Sequence, residues 1–227
     1  TPISPRARSK PRSRKYSMPP LVKICGLSTP ETVDAAIRLG ATHIGLVHYE
    51  PSPRHVALDL AAQLRQRAQG KVKVALLLVN ASQQLTGEAL SKVRPDIIQF
   101  HGTETPEWLA RVKQLVPAQI WKAIGLRDAD TLDRMQKYRG IADRILFDAP
   151  AAAMPGGTGT RFDWSLLANH CHSMDWGIAG GLTPDNVGQA IAETGAPLVD
   201  VSSGVESAPG VKDVDKIAAF LKAGAAC

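Results

Sequence analysis

LVKICGLSTPETVDAAIRLGATHIGLV, residues 21–47, holds two short apolar runs, 21–25 and 43–47, on either side of a segment with helical spacing. Thr29 suits a helix N-cap, Pro30 the first helical position and Glu31 the positive end of the helix dipole, while Gly40 suits the helix end. A strand, a helix and a second strand rich in Val, Ile and Leu form one βαβ unit, the element of parallel sheets covered on both faces. The rest of the chain repeats it. Further apolar runs lie at 72–79, 97–100, 119–124, 144–147, 176–179 and 198–201. Amphipathic stretches separate them, as in Ile217, Phe220 and Leu221. The spacing is about 26 residues per unit, a normal βα size. The expected architecture is an α/β fold, a (β/α)8 TIM barrel forming a single domain over 21–227; a doubly wound open sheet is the alternative. An echo at Thr183-Pro184-Asp185-Asn186-Val187 predicts a second helix starting as the first does, at Pro184, and ending at Gly195.

The 227 residues carry a net charge of +6, and its distribution decides what it means. Arg6, Arg8, Lys10, Arg12, Arg14 and Lys15 fall within residues 1–17, which hold no acid. Without these six, 21 basic residues face 21 acidic ones from 18 onward, so the folded part is electrically balanced and carries no steering field for nucleic acid. Residues 1–20, rich in Pro, Ser and Arg, predict a disordered basic tail. An upstream extension before Met18 is the favoured reading, with a targeting peptide or an anion-binding arm as alternatives. No run reaches the roughly 20 apolar residues of a membrane span. Cys25, Cys171 and Cys227 are an odd set without metal-ligand spacing, which points to a reducing, cytoplasmic setting and no metal.

In a barrel of this kind, function gathers where strands end. Alternation along 21–25 puts Lys23 and Cys25 on one face, turned inward, with the thiol before a helix N-terminus and beside an ammonium. Both neighbours favour the thiolate; a buried core cysteine is the competing reading. Asp148 follows the sixth run, an expensive place for an acid that is neither paired nor working. Glycine turns follow the last three runs: Pro155-Gly156-Gly157-Thr158-Gly159, Ala179-Gly180-Gly181, and Ser202-Ser203-Gly204. Together they predict a cradle of backbone N–H groups for a phosphate. Arg54, on the Pro51-Ser52-Pro53-Arg54-His55 loop, suits a substrate carboxylate.

These residues run in order with Gln99-Phe100-His101-Gly102, Phe162-Asp163-Trp164, Gly180-Gly181-Leu182-Thr183-Pro184-Asp185-Asn186-Val187 and Val199-Asp200-Val201-Ser202-Ser203-Gly204-Val205-Glu206, followed by Pro209-Gly210-Val211-Lys212-Asp213. Over about residues 21–222 the set closely resembles the N-(5'-phosphoribosyl)anthranilate isomerase family of tryptophan biosynthesis. The resemblance implies an Amadori rearrangement of phosphoribosylanthranilate to 1-(2-carboxyphenylamino)-1-deoxyribulose 5-phosphate. It also implies Asp148 as general acid and Cys25 as general base. Arg54 would hold the anthranilate carboxylate, and Lys23, Gln99, His101 and Asp200 would also contact substrate. Gly157, Thr158, Gly159, Gly180, Gly181, Ser202, Ser203 and Gly204 would bind the 5'-phosphate. No cofactor is expected, because the substrate's imine is its own electron sink. The expected partner is this phosphorylated small molecule, with neither nucleic acid nor membrane, and the chain is a monomer or homodimer.

His48-Tyr49-Glu50 and Phe100 depart from the family's usual residues. Three rivals remain: a ribulose-phosphate epimerase, a histidine-pathway isomerase, and a nucleic-acid binder acting through the tail. The epimerase would want metal ligands that the histidines are not spaced to supply. The histidine-pathway enzyme resembles a two-aspartate design, against which Cys25 speaks.

Overall fold

The computed structural model describes residues 19–149, 163–168 and 170–226; the basic stretch 1–17 and the turn containing Gly157, Thr158 and Gly159 lie outside them. Eight parallel strands, β1 (Leu21–Cys25), β2 (His43–Val47), β3 (Lys73–Leu78), β4 (Ile97–Phe100), β5 (Gln119–Gly125), β6 (Arg144–Asp148), β7 (Trp176–Ile178) and β8 (Leu198–Val201), pair in sequence order. The ring closes where β8 pairs with β1, Lys23 opposite Asp200. A helix follows each strand: α1 (Pro30–Arg38), α2 (Leu58–Ala68), α3 (Gln83–Val93), α4 (Pro106–Leu115), α5 (Ala129–Arg134), α6 (Ser165–Ala168), α7 (Val187–Thr194) and α8 (Val214–Ala225). A short antiparallel hairpin, β9 (Glu206–Ala208) with β10 (Val211–Lys212), sits between β8 and α8. The expected (β/α)8 barrel is the fold of the protein.

Strand alternation divides the apolar side chains into two compartments. Outward residues such as Val22, Ile24, Ile44, Leu76, Ile98 and Ile145 pack against Val33, Ala61, Leu109 and Phe220 of the helices. Each fully buried Leu or Ile there contributes about 1.5–3 kcal/mol. Inward residues Ala75, Ile97, Trp121, Ala123, Leu146 and Leu198 fill the barrel interior. Trp121, 1% exposed, closes it. Its indole donates to Gln119 Oε1 at 3.1 Å, the Arg144 guanidinium lies 5.1 Å from its ring, and the His43 ring 5.3 Å. Above this plug Cys25, Val47 and Leu77 form a small third cluster at the end where the strands finish.

Local rules account for most helix starts, and one departs from expectation. The Thr29 hydroxyl accepts from Thr32 N at 3.3 Å and caps α1, with Pro30 at its first position as expected. The echo at 183–187 does not repeat this, because α7 begins at Val187 rather than Pro184. Asn186 Oδ1 accepts from Thr183 N at 2.9 Å and its Nδ2 donates to Gly181 O at 2.9 Å. These local bonds hold 183–186 as a turn and compete with the helical ladder. β6 runs to Asp148, opposite Gly125, so the acid is the last residue of the strand rather than the first of the loop.

His43, 8% exposed, has its pKa lowered to about 4 by burial first, with Lys23, Arg144 and Lys73 adding their repulsion. A lowered folded pKa gives stability that is present above the ordinary histidine value and is lost as pH falls toward 4. The loss amounts to about 3 kcal/mol, order of magnitude, once pH is below both values. Denaturant unfolding of His43→Gln at pH 7 and pH 4 should show a smaller acid loss than the parent; an equal loss would assign acid sensitivity to other groups.

Candidate active site

The strand ends enclose a cavity of about 440 Å³ whose wall includes Cys25, Arg54, Gln99, His101, Asp148, Gly180, Gly181, Asp200, Ser202 and Ser203. Ten side chains and turns picked from sequence therefore share one mouth. Lys23 does not line it. Fully buried beneath, its ammonium donates to Asp200 Oδ2 at 2.7 Å, so it acts on the cavity through its neighbours. Gly204 does not line it either; a Cβ there would collide with the Leu182 carbonyl oxygen. Val47, Tyr49, Ser52, Leu77, Val79, Ala179, Leu182 and Val201 complete the wall; Ser52, Ala179, Leu182 and Val201 belong to motifs quoted from the sequence, and Tyr49 to the departure from the family.

Cys25 and Lys23 meet over Gly45 of β2, which pairs in register with Cys25. A Cβ at Gly45 would stand 2.7 Å from Cys25 Sγ and 3.1 Å from Lys23 Nζ, so the thiol and the ammonium occupy the space a side chain would need. Burial pushes the Cys25 thiol above its ordinary value; Lys23 draws it back in part, and Asp200 adds to the rise. This corrects the expectation of a thiol lowered by a helix end, because α1 starts only at Pro30 and Cys25 is 5% exposed. Burial also opposes the Lys23 ammonium, but Asp200 and Cys25 outweigh it and raise its pKa. Asp200 is raised by burial, against the pull of Lys23.

Asp148 reaches the same cavity from β6. His101 Nε2 lies 3.0 Å from Asp148 Oδ2, and both side chains remain partly open to solvent. Buried Asp200 Oδ1 and Gln99 Oε1 have no hydrogen-bond partner among the described residues. Both residues border the cavity, so two acceptors stand ready for hydroxyl groups of a ligand. Directly beside Asp148, after β7, the backbone turns at Gly180 (φ 75) and Gly181 (φ 65). Among the described residues no group accepts from the N–H of Gly180, Gly181 or Leu182, which leaves a set of donors for an anion. The Ser202 hydroxyl donates to Cys25 O at 3.1 Å and ties this wall to β1.

Arg54 is placed by a partner the sequence reading missed. Its Nε and Nη2 donate to Glu206 Oε1 and Oε2 at 2.7 and 2.8 Å. Glu206 also takes a bond from Lys212 Nζ at 2.6 Å. Burial would raise the Glu206 carboxyl, but the bonds from Arg54 and Lys212 prevail and hold it below its ordinary value. The remaining histidines have structural contacts, such as His48 Nδ1 with Val56 O at 2.9 Å. Among the described residues no group of three or more His, Cys, Asp or Glu is arranged to hold a metal, and no helix is long and apolar enough to cross a membrane.

Comparison with known proteins agrees with this fold. A family model described as N-(5'phosphoribosyl)anthranilate (PRA) isomerase matches residues 22–223. The N-(5'-phosphoribosyl)anthranilate isomerase of Erythrobacter litoralis (strain HTCC2594) is 56% identical over 203 residues, 89% of this chain and 97% of its own. The crystal structure of phosphoribosyl anthranilate isomerase from Thermotoga maritima superposes with a TM-score of 0.84 at 31% identity, over 92% of this chain and 100% of that one. A crystal structure of phosphoribosyl anthranilate isomerase in complex with reduced 1-(o-carboxyphenylamino)-1-deoxyribulose 5-phosphate gives 0.79 at 29% identity, over 92% and 100%. The matches run from the first strand of the barrel into its last helix, and the chain belongs to the N-(5'-phosphoribosyl)anthranilate isomerase family, isomerases of tryptophan biosynthesis.

Proposed function

We propose that the mouth of this barrel rearranges phosphoribosylanthranilate by two proton transfers, with Asp148 as general acid and Cys25 as general base. The observation that carries the reading is that these two groups, from β6 and β1, border one cavity in unlike surroundings. The carboxyl is partly solvated beside His101, and the thiol is buried and raised. Two transfers at different atoms call for two groups with separate proton affinities. Asp148 gives a proton to the furanose ring oxygen, the C1'–oxygen bond breaks, and a Schiff base forms. The Cys25 thiolate takes the C2' proton and leaves an enolamine. Ketonisation adds a proton at C1' and releases one from the C2' hydroxyl, so the substrate's composition is unchanged and both groups regain their starting states. Burial makes the ionised thiol a strong base for a carbon acid, and the neighbouring Lys23 ammonium offsets part of that burial.

The ligand of the related complex combines an o-carboxyphenylamino group, a deoxyribulose chain and a 5-phosphate. This mouth offers a counterpart to each part. Arg54 takes the carboxylate, Gln99 and Asp200 the sugar hydroxyls, and Gly180, Gly181, Ser202 and Ser203 the phosphate. Gly157, Thr158 and Gly159 are proposed to join the phosphate site on the family resemblance.

The test follows the decay of substrate fluorescence when the protein meets phosphoribosylanthranilate. The parent protein should convert it. Arg54→Ala should raise KM by about ten- to a hundredfold, the loss of charge-assisted hydrogen bonds, with a smaller change in kcat. No conversion by the parent would sink the reaction, and an unchanged KM would remove Arg54 from its role.

A further inference from the structure

We infer that Glu206, backed by Lys212, is a positioning residue that aims Arg54 at the substrate's carboxylate. The inference rests on the reading of Arg54 as the carboxylate contact. A guanidinium has five N–H donors arranged as forks. Glu206 engages Nε at 2.7 Å and Nη2 at 2.8 Å, one full side of the group. Among the described residues the Nη1–Nη2 edge has no partner, which leaves a second fork on a side chain 22% exposed that borders the cavity. One guanidinium can thus grip Glu206 and a bound carboxylate at the same time. The stem is fixed as well: a Cβ at Gly26 would stand 2.6 Å from Arg54 Cδ, so the arginine lies directly on the residue after Cys25.

Charge explains the third member. Arg54 and Glu206 alone would present a neutral pair to an incoming carboxylate. Lys212, its side chain 1% exposed, adds the positive charge that restores attraction. It donates to Glu206 Oε1 at 2.6 Å and to Ser202 O at 2.9 Å and does not line the cavity. Glu206 is itself held by Gly210 N, which donates to Oε2 at 3.2 Å. The β9–β10 hairpin therefore serves as a bracket, carrying Glu206 at its start and Lys212 at its end.

The sign of one substitution separates aiming from bulk charge. Glu206→Gln raises the cluster's net charge, so a role in charge alone predicts tighter binding of a carboxylate. Positioning predicts weaker binding. Steady-state kinetics would be measured on phosphoribosylanthranilate and on the phosphoribosyl derivative of aniline, which lacks the carboxylate. We expect Glu206→Gln to raise KM for the first by roughly tenfold or more, with kcat and the KM of the aniline compound changing far less. In an Arg54→Ala background the same substitution should add nothing. If Glu206→Gln does not fold, Glu206→Asp serves instead. It keeps the cluster's charge but shortens the arm that holds Arg54, so charge alone predicts an unchanged KM and positioning a raised KM for the carboxylated substrate alone. A lower or unchanged KM in the variant used, or equal losses on both substrates, would overturn the inference. A parent enzyme that does not distinguish the two substrates would overturn the reading of Arg54 itself, and the inference with it.

Discussion

Cys25→Ala and Asp148→Asn should each lower kcat on phosphoribosylanthranilate by about 10²- to 10⁴-fold, the usual contribution of one positioned acid or base. Cys25 packs in a small cluster with Val47 and Leu77, and loss of one sulfur there leaves only a minor void. Asp148 is partly solvated, and its neighbour His101 is more open still, so an amide fits without stranding a buried charge. Both variants should therefore keep a cooperative unfolding transition, and stopped-flow fluorescence read beside thermal melts separates chemistry from folding. Asp148→Asn retains shape but has no acidic proton to give. Cys25→Ala retains the Lys23–Asp200 pair at 2.7 Å, so its loss reports on the thiol rather than on the charges below it. Turnover within severalfold of the parent would return Cys25 to a packing role, or Asp148 to a ligand of His101.

Glu104→Ala should cost about 3–5 kcal/mol, the price of stranding one member of a buried ion pair. Lys122 sits on β5 in register with Phe100 and Ile145, both of the outer layer, so alternation sends this lysine toward the helices. Its side chain and that of Glu104 are each 3% exposed, 3.1 Å apart. Lys122 Nζ also donates to Gly102 O at 2.6 Å. Glu104 accepts from Asn80 N at 2.8 Å and Gly102 N at 2.9 Å, so its removal orphans two backbone donors as well as the ammonium. Burial already pulls the Lys122 pKa down against the hold of Glu104. The thermal midpoint should fall by roughly 10 °C for a chain of this size. Glu104→Leu with Lys122→Met should recover much of the loss, because a packed apolar pair replaces a buried ionic one at little cost. A midpoint unchanged by Glu104→Ala would show that the lysine reaches water in solution.

What could be read from the sequence follows from range. The eight strands were legible because Val, Ile and Leu cluster in runs, and Lys23 and Cys25 were placed inward by period-two alternation alone. Asp148 was legible as an acid just after an apolar strand, whereas Gln99 and Asp200 were marked only by the family resemblance. Contacts across the chain were not legible. Arg54 and Glu206 are 152 positions apart, and either alone reads as an ordinary charged residue; Glu206 and Lys212 belonged to a specific block, which marked them without saying what they touch. Lys122 interrupts an apolar strand, and its partner lies on a loop 18 positions earlier. The start of α7 was misjudged because the Thr-Pro-Asp pattern fits a cap, while the outcome depends on two bonds from the Asn186 side chain.

The indole of Trp121 makes the barrel a cup rather than a tube. With the lower interior stoppered by Trp121, Leu146 and Leu198, molecules enter and leave through one opening. Whatever seats deepest, near Cys25, arrives first and departs last, and a molecule at the bottom cannot be displaced from behind. Product and fresh substrate must therefore take turns at the rim, so added product should slow the enzyme by standing in the doorway rather than by altering the chemistry below.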